Sequence, residues 1–276
     1  MNRSKRVLIA QASLQVLKKG YYKSPAGNHV DIAEWQAYAV AHSKRYTPEE
    51  FDNLPLPEGV AIETEFIVQN ETTQQAAERL HADGENRLFA LNFASAKNPG
   101  GGFLNGSQAQ EESLARSSGL YPCLLQHKDF YDLHRERKNA LYTDNMIYSP
   151  EVPFIRNDAG ELLEDFYRLS VVTSPAVNAG AVKRNLPDDV HRIPELMISR
   201  SEKVLRLAAI HQHEVLILGA WGCGVFRNDP KEIASYFVQH LKEDGKYHNR
   251  FRKIVFAVLD RTNNQANINA FEAFFK

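Results

Sequence analysis

Val215-Leu216-Ile217-Leu218-Gly219-Ala220-Trp221-Gly222-Cys223-Gly224-Val225-Phe226-Arg227-Asn228-Asp229-Pro230 passes from an apolar run into a glycine-bearing turn and ends on Asp-Pro. The four residues before Gly219 show no polar alternation, which fits a strand buried on both faces. Asp229 followed by Pro230 reads as a helix N-cap and first helical position. Strand, glycine loop and helix in that order form the unit of a parallel α/β sheet. The loop then lies at the C-terminal end of the strand, where ligands bind in such folds.

The doubly buried pattern recurs at Ile254-Val255-Phe256-Ala257-Val258. Strands are expected at Ile62–Gln69, Arg87–Ala94, Met146–Tyr148, Leu169–Thr173, Val215–Gly219 and Lys253–Leu259. Helices are expected between them at Thr72–His81, Ser107–Leu125, Asp188–Ala209, Pro230–Lys242 and Gln265–Phe275. Residues 1–60 read differently. Val7, Ala10, Leu14 and Leu17 recur at helical spacing with Gly20 as a stop, a second helix spans Ile32 to Arg45, and Pro48, Pro55 and Pro57 punctuate the next stretch. The expected organisation is a helical N-terminal extension (1–60) packed on an α/β domain (61–276).

The chain of 276 residues is long enough for one sizeable core. Its 33 basic and 34 acidic side chains leave a net charge of −1, which gives no support to bulk nucleic-acid binding or membrane-surface attachment. The only cysteines, Cys123 and Cys223, lack C-x-x-C spacing, so neither a zinc site nor a disulfide framework is indicated and a reducing cytoplasm is expected. The Val7-Leu8-Ile9-Ala10 run is too short for a signal-peptide core, and no stretch approaches a membrane span. His211 and His213 lack a third ligand and read as surface or satisfied core residues.

A second loop carries the chemistry. Asn98-Pro99-Gly100-Gly101-Gly102 is followed, after seven further residues, by Gln110-Glu111-Glu112. The glycine triplet permits positive φ and lets a ligand sit against main-chain amides. Ser107 and Gln110 match a capping box, which places Glu111 and Glu112 in the first turns of a helix. An acidic pair there usually only complements the helix dipole. Here it follows a strand, a glycine triplet and a capped turn, which together build a donor-rich pocket. A glutamate in such a pocket can donate a proton and, as its carboxylate, activate water. The Gly222–Gly224 stretch contains neither G-x-x-x-x-G-K-[ST] nor G-x-G-x-x-G, which disfavours ATP-type and NAD-type loops. Cys223 has no partner base at a recognisable spacing and reads as a small buried residue; for Phe226 the bland reading is core packing.

The glycine triplet with its downstream Gln-Glu-Glu resembles the signature of the poly(ADP-ribose) glycohydrolases in their compact microbial form. Gly222-Cys223-Gly224-Val225-Phe226 is similar to the diphosphate-binding loop of macrodomains, the fold class of that family. The resemblance implies a three-layer α/β/α macrodomain with a mixed, largely parallel sheet. It implies Glu112 as catalytic acid and base, Glu111 as anchor for ribose hydroxyls, and Gln110 as support for loop or substrate. Asn98 would contact the terminal ribose, and Gly100, Gly101 and Gly102 would bind substrate. Gly222, Cys223, Gly224 and Val225 would donate backbone amides to the diphosphate, and Phe226 would press the ribose towards Glu112. Where macrodomains place a Gly-Asp pair near adenine, this chain has Asn70-Glu71.

The implied protein is a glycosidase that needs no cofactor and no metal. It would release ADP-ribose, mainly from the chain end, from poly(ADP-ribose) or ADP-ribosylated protein. It would act as a bacterial, cytoplasmic monomer in the reversal of ADP-ribosylation, as in the DNA damage response. Two alternatives stay open: an ADP-ribose reader without turnover, and a mono-ADP-ribosyl hydrolase acting on protein or nucleic acid.

Overall fold

The computed structural model describes residues 1–59, 61–137 and 139–276. Its strands are β1 (Tyr21–Lys23), β2 (His29–Asp31), β3 (Lys44–Tyr46), β4 (Glu65–Gln69), β5 (Leu88–Phe93), β6 (Met146–Arg156), β7 (Leu162–Ser174), β8 (Val215–Leu218) and β9 (Lys253–Ala257). The helices are α1 (Arg3–Lys19), α2 (Ala33–His42), α3 (Pro48–Asn53), α4 (Thr73–Ala82), α5 (Gln110–Ser117), α6 (Leu120–Leu125), α7 (Lys128–Arg137), α8 (Ala179–Asn185), α9 (Ile193–Ile210), α10 (Pro230–Leu241) and α11 (Ala266–Phe275).

Seven strands form the central sheet in the order β3-β6-β7-β5-β8-β9-β4. From β7 to β4 all pairings are parallel, whereas β6 is antiparallel to both β7 and β3. The sheet is thus mixed and largely parallel, as expected. Its interior strands are buried on both faces, so alternate residues serve different layers. Phe89, Leu91, Leu216, Leu218, Ile254 and Phe256 pack beneath α8 to α11. Leu88, Ala90, Val215, Ile217, Val255 and Ala257 pack beneath α2 and α4 to α7. This is the three-layer α/β/α arrangement.

Three expectations need correction. Residues 1–60 are not helical throughout: β1 and β2 pair with each other, and β3 joins the central sheet at its edge. The expected boundary of the extension falls on Val60, outside the described residues. The helix expected over Ser107–Leu125 is two helices, α5 and α6, separated at Ser118-Gly119. It begins at Gln110 with Ala109 in the N-cap position and no side-chain cap, so Ser107 is not the cap. Finally, β6 and β7 run far beyond their expected cores as a long antiparallel pair, because polar positions such as Glu151 and Arg168 obscure the second half of β6 and the first half of β7.

α1 ends as its spacing requires. Gly20 sits in the left-handed region (φ +80) and returns its amide to the Val16 carbonyl, a terminus that favours glycine.

Candidate active site

Both glycine loops leave C-terminal ends of neighbouring strands, β5 and β8. They face each other across a cleft. One cavity of about 380 Å³ brings together Asn98, Glu111, Glu112, Tyr142, Val225 and Phe226. It adjoins a second of about 390 Å³, and the two share Phe93, Ala109, Gln110, Ala220 and Gly224. The second continues past Cys223 to Glu71, Asp158 and Asn267.

The first loop folds back on its own helix. Gly100 and Gly101 have φ of +68 and +59. A side chain at Gly101 would overlap Glu112 Oε1, so only glycine fits between the loop and the carboxylates. The Gly102 amide donates to Glu112 Oε1 at 3.0 Å. Gln110, whose backbone starts α5, turns its side chain into the scaffold: Oε1 accepts from the Phe93 amide at 2.8 Å, and Nε2 donates to Leu91 O and Thr73 Oγ1. It ties the strand end to α4 and α5. Asn98 is exposed at the rim, its amide held by Ser95 Oγ at 3.2 Å.

The two glutamates differ sharply. Glu112 is half-buried and lines the cavity. Glu111 is 3% exposed and has no cationic partner among the described residues. Its Oε2 accepts from the Ser95 amide at 2.7 Å and its Oε1 from Asn92 Nδ2 at 3.3 Å. Burial, opposed by those donors and reinforced by the neighbouring Glu112 charge, pushes the Glu111 carboxyl up to about 8. Two adjacent carboxyls are thereby placed in different environments: Glu111 is buried among neutral donors, and Glu112 lines the cavity.

Asn92 was not singled out from the sequence, where it lies inside an apolar strand pattern. It is fully buried, and its Nδ2 also donates to Thr173 Oγ1 on β7 at 3.1 Å, while Oδ1 meets no donor among the described residues. A lone asparagine within Leu88–Phe93 is the one signal that could have marked it.

The second loop is held open from beneath. Trp221 is fully buried and donates Nε1 to Ser174 O at 3.1 Å. Asn228 Nδ2 donates to Val177 O and Gly222 O. Asp229 Oδ1 accepts from the Lys231 and Glu232 amides and caps α10, with Pro230 as first helical residue, as the sequence indicates. Among the described residues, the amides of Gly222, Gly224, Val225 and Phe226 have no intramolecular acceptor. Such a cluster of unpaired amides is an anion site. The Cys223 amide is different: it donates to Ala220 O at 3.2 Å and is spent within the turn. Burial raises the Cys223 thiol to about 12, which leaves it unreactive. Val225 is 84% exposed at the mouth, and the Phe226 ring lies 5.9 Å from that of Tyr142, a cleft residue not anticipated.

Two other sequence candidates lie outside the chemistry. Glu71 lines the second cavity but is engaged by Arg79 at 2.6 Å. His211 and His213 bond through Nε2 to Tyr46 and Tyr148, as satisfied core residues. No group of three or more His, Cys, Asp or Glu side chains is placed to hold a metal among the described residues. No helix among them is long and apolar enough to cross a membrane.

Sheet order, layers and cleft define the class of the molecule, a macrodomain-like α/β protein. Over residues 10–157 the chain matches the family described as microbial-type PARG, catalytic domain. Poly(ADP-ribose) glycohydrolase from Thermomonospora curvata is 42% identical, covering 99% of this chain and 100% of that one with a TM-score of 0.93. The same enzyme bound to the inhibitor ADP-HPD matches at 44% identity over 98% and 99% of the two chains, with a TM-score of 0.92. The Deinococcus radiodurans enzyme in complex with ADP-ribose matches at 41% identity over 87% and 97%, with a TM-score of 0.82. A comparison with curated proteins gave no match. The chain belongs to the microbial-type poly(ADP-ribose) glycohydrolase family.

Proposed function

We propose that this glycohydrolase cleaves ribose–ribose O-glycosidic bonds of poly(ADP-ribose) from the chain end, with Glu112 as general acid and base. The observation that carries this reading is the cleft itself. A half-buried carboxylate, held by a glycine-loop amide, faces a loop of unpaired amides across one cavity. The amides of Gly222, Gly224 and Val225 take the diphosphate, and the adjoining cavity takes the adenosine. The terminal ribose lies between Phe226, Tyr142 and the glutamates.

Protonated Glu112 donates to the leaving ribose oxygen as the bond from that oxygen to the anomeric carbon breaks. The electron pair leaves with the oxygen, and positive charge develops on the terminal ribose. The resulting Glu112 carboxylate then takes a proton from the water that attacks the anomeric carbon, which restores the acid and yields free ADP-ribose. Glu111 and its neighbours orient the ribose hydroxyls.

The test is ADP-ribose release from purified poly(ADP-ribose) by wild type and Glu112→Gln, with ADP-ribose affinity measured alongside. The expected result is a loss of about 10²–10⁴-fold in turnover with affinity retained. Unchanged hydrolysis would remove Glu112 from its role. Binding without release by wild type would mark a reader, and removal of single ADP-ribosyl groups from protein or nucleic acid would mark a mono-ADP-ribosyl hydrolase.

A further inference from the structure

The segment from Gly100 to Gln108 has two sides. Its inner side presents the Gly102 amide to Glu112. Its outer side is gripped by α1, an element that contributes to neither wall of the cleft. Arg6 Nε donates to Gly106 O at 2.7 Å and Arg3 Nε to Asn105 O at 2.8 Å. Gly106 has φ +73, and a side chain there would lie 2.6 Å from Arg3 O and 3.0 Å from Val7 Cγ2. Helix and loop backbone therefore meet with no intervening side-chain layer. Phe103, buried at the tip of the loop, packs with Ala10 and Leu14 of α1 and with Ala115 of α5.

α1 is itself anchored away from the loop. Arg156 Nε on β6 donates to Ser13 Oγ at 2.7 Å, and the β6–β7 turn at Gly160 packs against Ile9. Arg6 has no carboxylate partner among the described residues; its other bond goes to Met1 O at 2.7 Å. From the opposite side Arg116 of α5 donates to Ser107 O and Gln108 Oε1. Three cations, Arg3, Arg6 and Arg116, are thus committed to the carbonyls and side-chain amide of one short loop. A glycine-rich segment loses more backbone entropy on ordering than any other, so its conformation has to be imposed by its neighbours.

We infer that α1 is a brace for the catalytic loop and that Arg6 is a positioning residue, holding the Gly102 amide on Glu112. The inference rests on Glu112 as acid and base. A loosened loop would leave the diphosphate amides after β8 in place and would reach the adjoining cavity, lined mainly by α4, α5 and the end of β9, only at Gln108 and Ala109. It would misplace the proton donor, and small displacements of reacting groups are costly in rate.

The experiment compares wild type, Arg6→Ala, Arg6→Lys and Glu112→Gln, with Lys18→Ala at the far end of α1 as control. The readouts are kcat and KM for ADP-ribose release, ADP-ribose affinity, and hydrogen exchange at Gly102–Ser107. For Arg6→Ala the expected result is a loss of about 10-fold in kcat with KM and affinity unchanged. Faster exchange in the loop should accompany it, since the Gly102 amide is no longer held on Glu112. Arg6→Lys, which keeps a donor, should recover most of the loss. Wild-type kinetics in Arg6→Ala, or a kcat loss matched by a lower active fraction with loop exchange unchanged, would overturn the brace. If Glu112→Gln retains turnover, the reading beneath the inference fails instead, and the two failures are distinguishable.

Discussion

The Gly102 amide lies 3.0 Å from Glu112 Oε1, so the carboxylate returns to the loop that precedes its own helix. This bond gives a physical reason for the spacing between the glycine triplet and the Gln-Glu-Glu. The seven intervening residues make a short turn over Phe103–Asn105 and then carry the chain back to α5.

Gly101→Ala should therefore disable the enzyme without unfolding it. The new methyl would overlap Glu112 Oε1 at a residue with φ +59. A loss of about 100-fold in kcat is expected, measured as ADP-ribose release, with the circular dichroism spectrum unchanged. A variant within twofold of wild type would show that the loop yields.

The two glycines of the second loop should respond in opposite ways. At Gly222 (φ +74) an added carbon would sit 2.5 Å from Asn228 Nδ2 and 2.6 Å from Ala176 Cβ, whereas at Gly224 it would meet nothing within 4 Å. Gly222→Ala should weaken ADP-ribose binding by about tenfold or more, from strain of roughly 1–2 kcal/mol plus the clash. Gly224→Ala keeps its amide and should bind as wild type in calorimetry.

Phe226→Ala removes a ring that faces Tyr142 across the ribose end of the cleft. Turnover should fall by about 10- to 100-fold through looser ribose placement, with Phe226→Tyr close to wild type. Equal losses in both variants would argue for a role in folding.

Glu111 gives stability a pH dependence. Its carboxyl is raised to about 8 in the fold from an ordinary 4.5. Between these values the folded chain holds a proton that the unfolded chain has shed, so this contribution is lost as pH rises towards 8. Glu111→Gln should gain stability relative to wild type at pH 8.5 but not at pH 5, by on the order of 1–3 kcal/mol. The Asn92 amide can flip to offer its unused Oδ1 to the glutamine. Parallel denaturant curves at both pH values would reject the proposal if their difference is the same.

His211 and His213 act on the acidic side. Burial lowers each to about 4. His213 is locked between Arg87 O at 2.6 Å and the Tyr148 hydroxyl at 2.7 Å. Each is neutral in the fold while the unfolded chain protonates near 6.5, so stability is lost as pH falls from about 6.5 towards 4. For the deeply buried His213 this amounts to ~3 kcal/mol. His213→Gln should flatten the loss of stability between pH 7 and pH 4.5 in urea titrations.

The doubly buried strands were legible because Val215–Leu218 and Ile254–Val258 have no polar face to hide, and both loops because glycine has few other reasons to cluster. The C-cap at Gly20 and the N-cap at Asp229 were legible for the same local reason: each is decided within a turn of chain. The far halves of β6 and β7 were not, since their polar positions look like loop until the partner strand is in place.

By itself, then, the sequence determined the layers, the order of strand, loop and helix, and the residue types at the cleft. Each of these comes from short-range periodicity and backbone freedom. Only the tertiary structure decided that Ser107 caps nothing, that β3 completes the sheet edge, that Asn92 meets Glu111, and that Arg6 grips the loop at Gly106. Those outcomes depend on groups far apart in the chain competing for the same donors and the same space, and that competition is settled only when the layers pack.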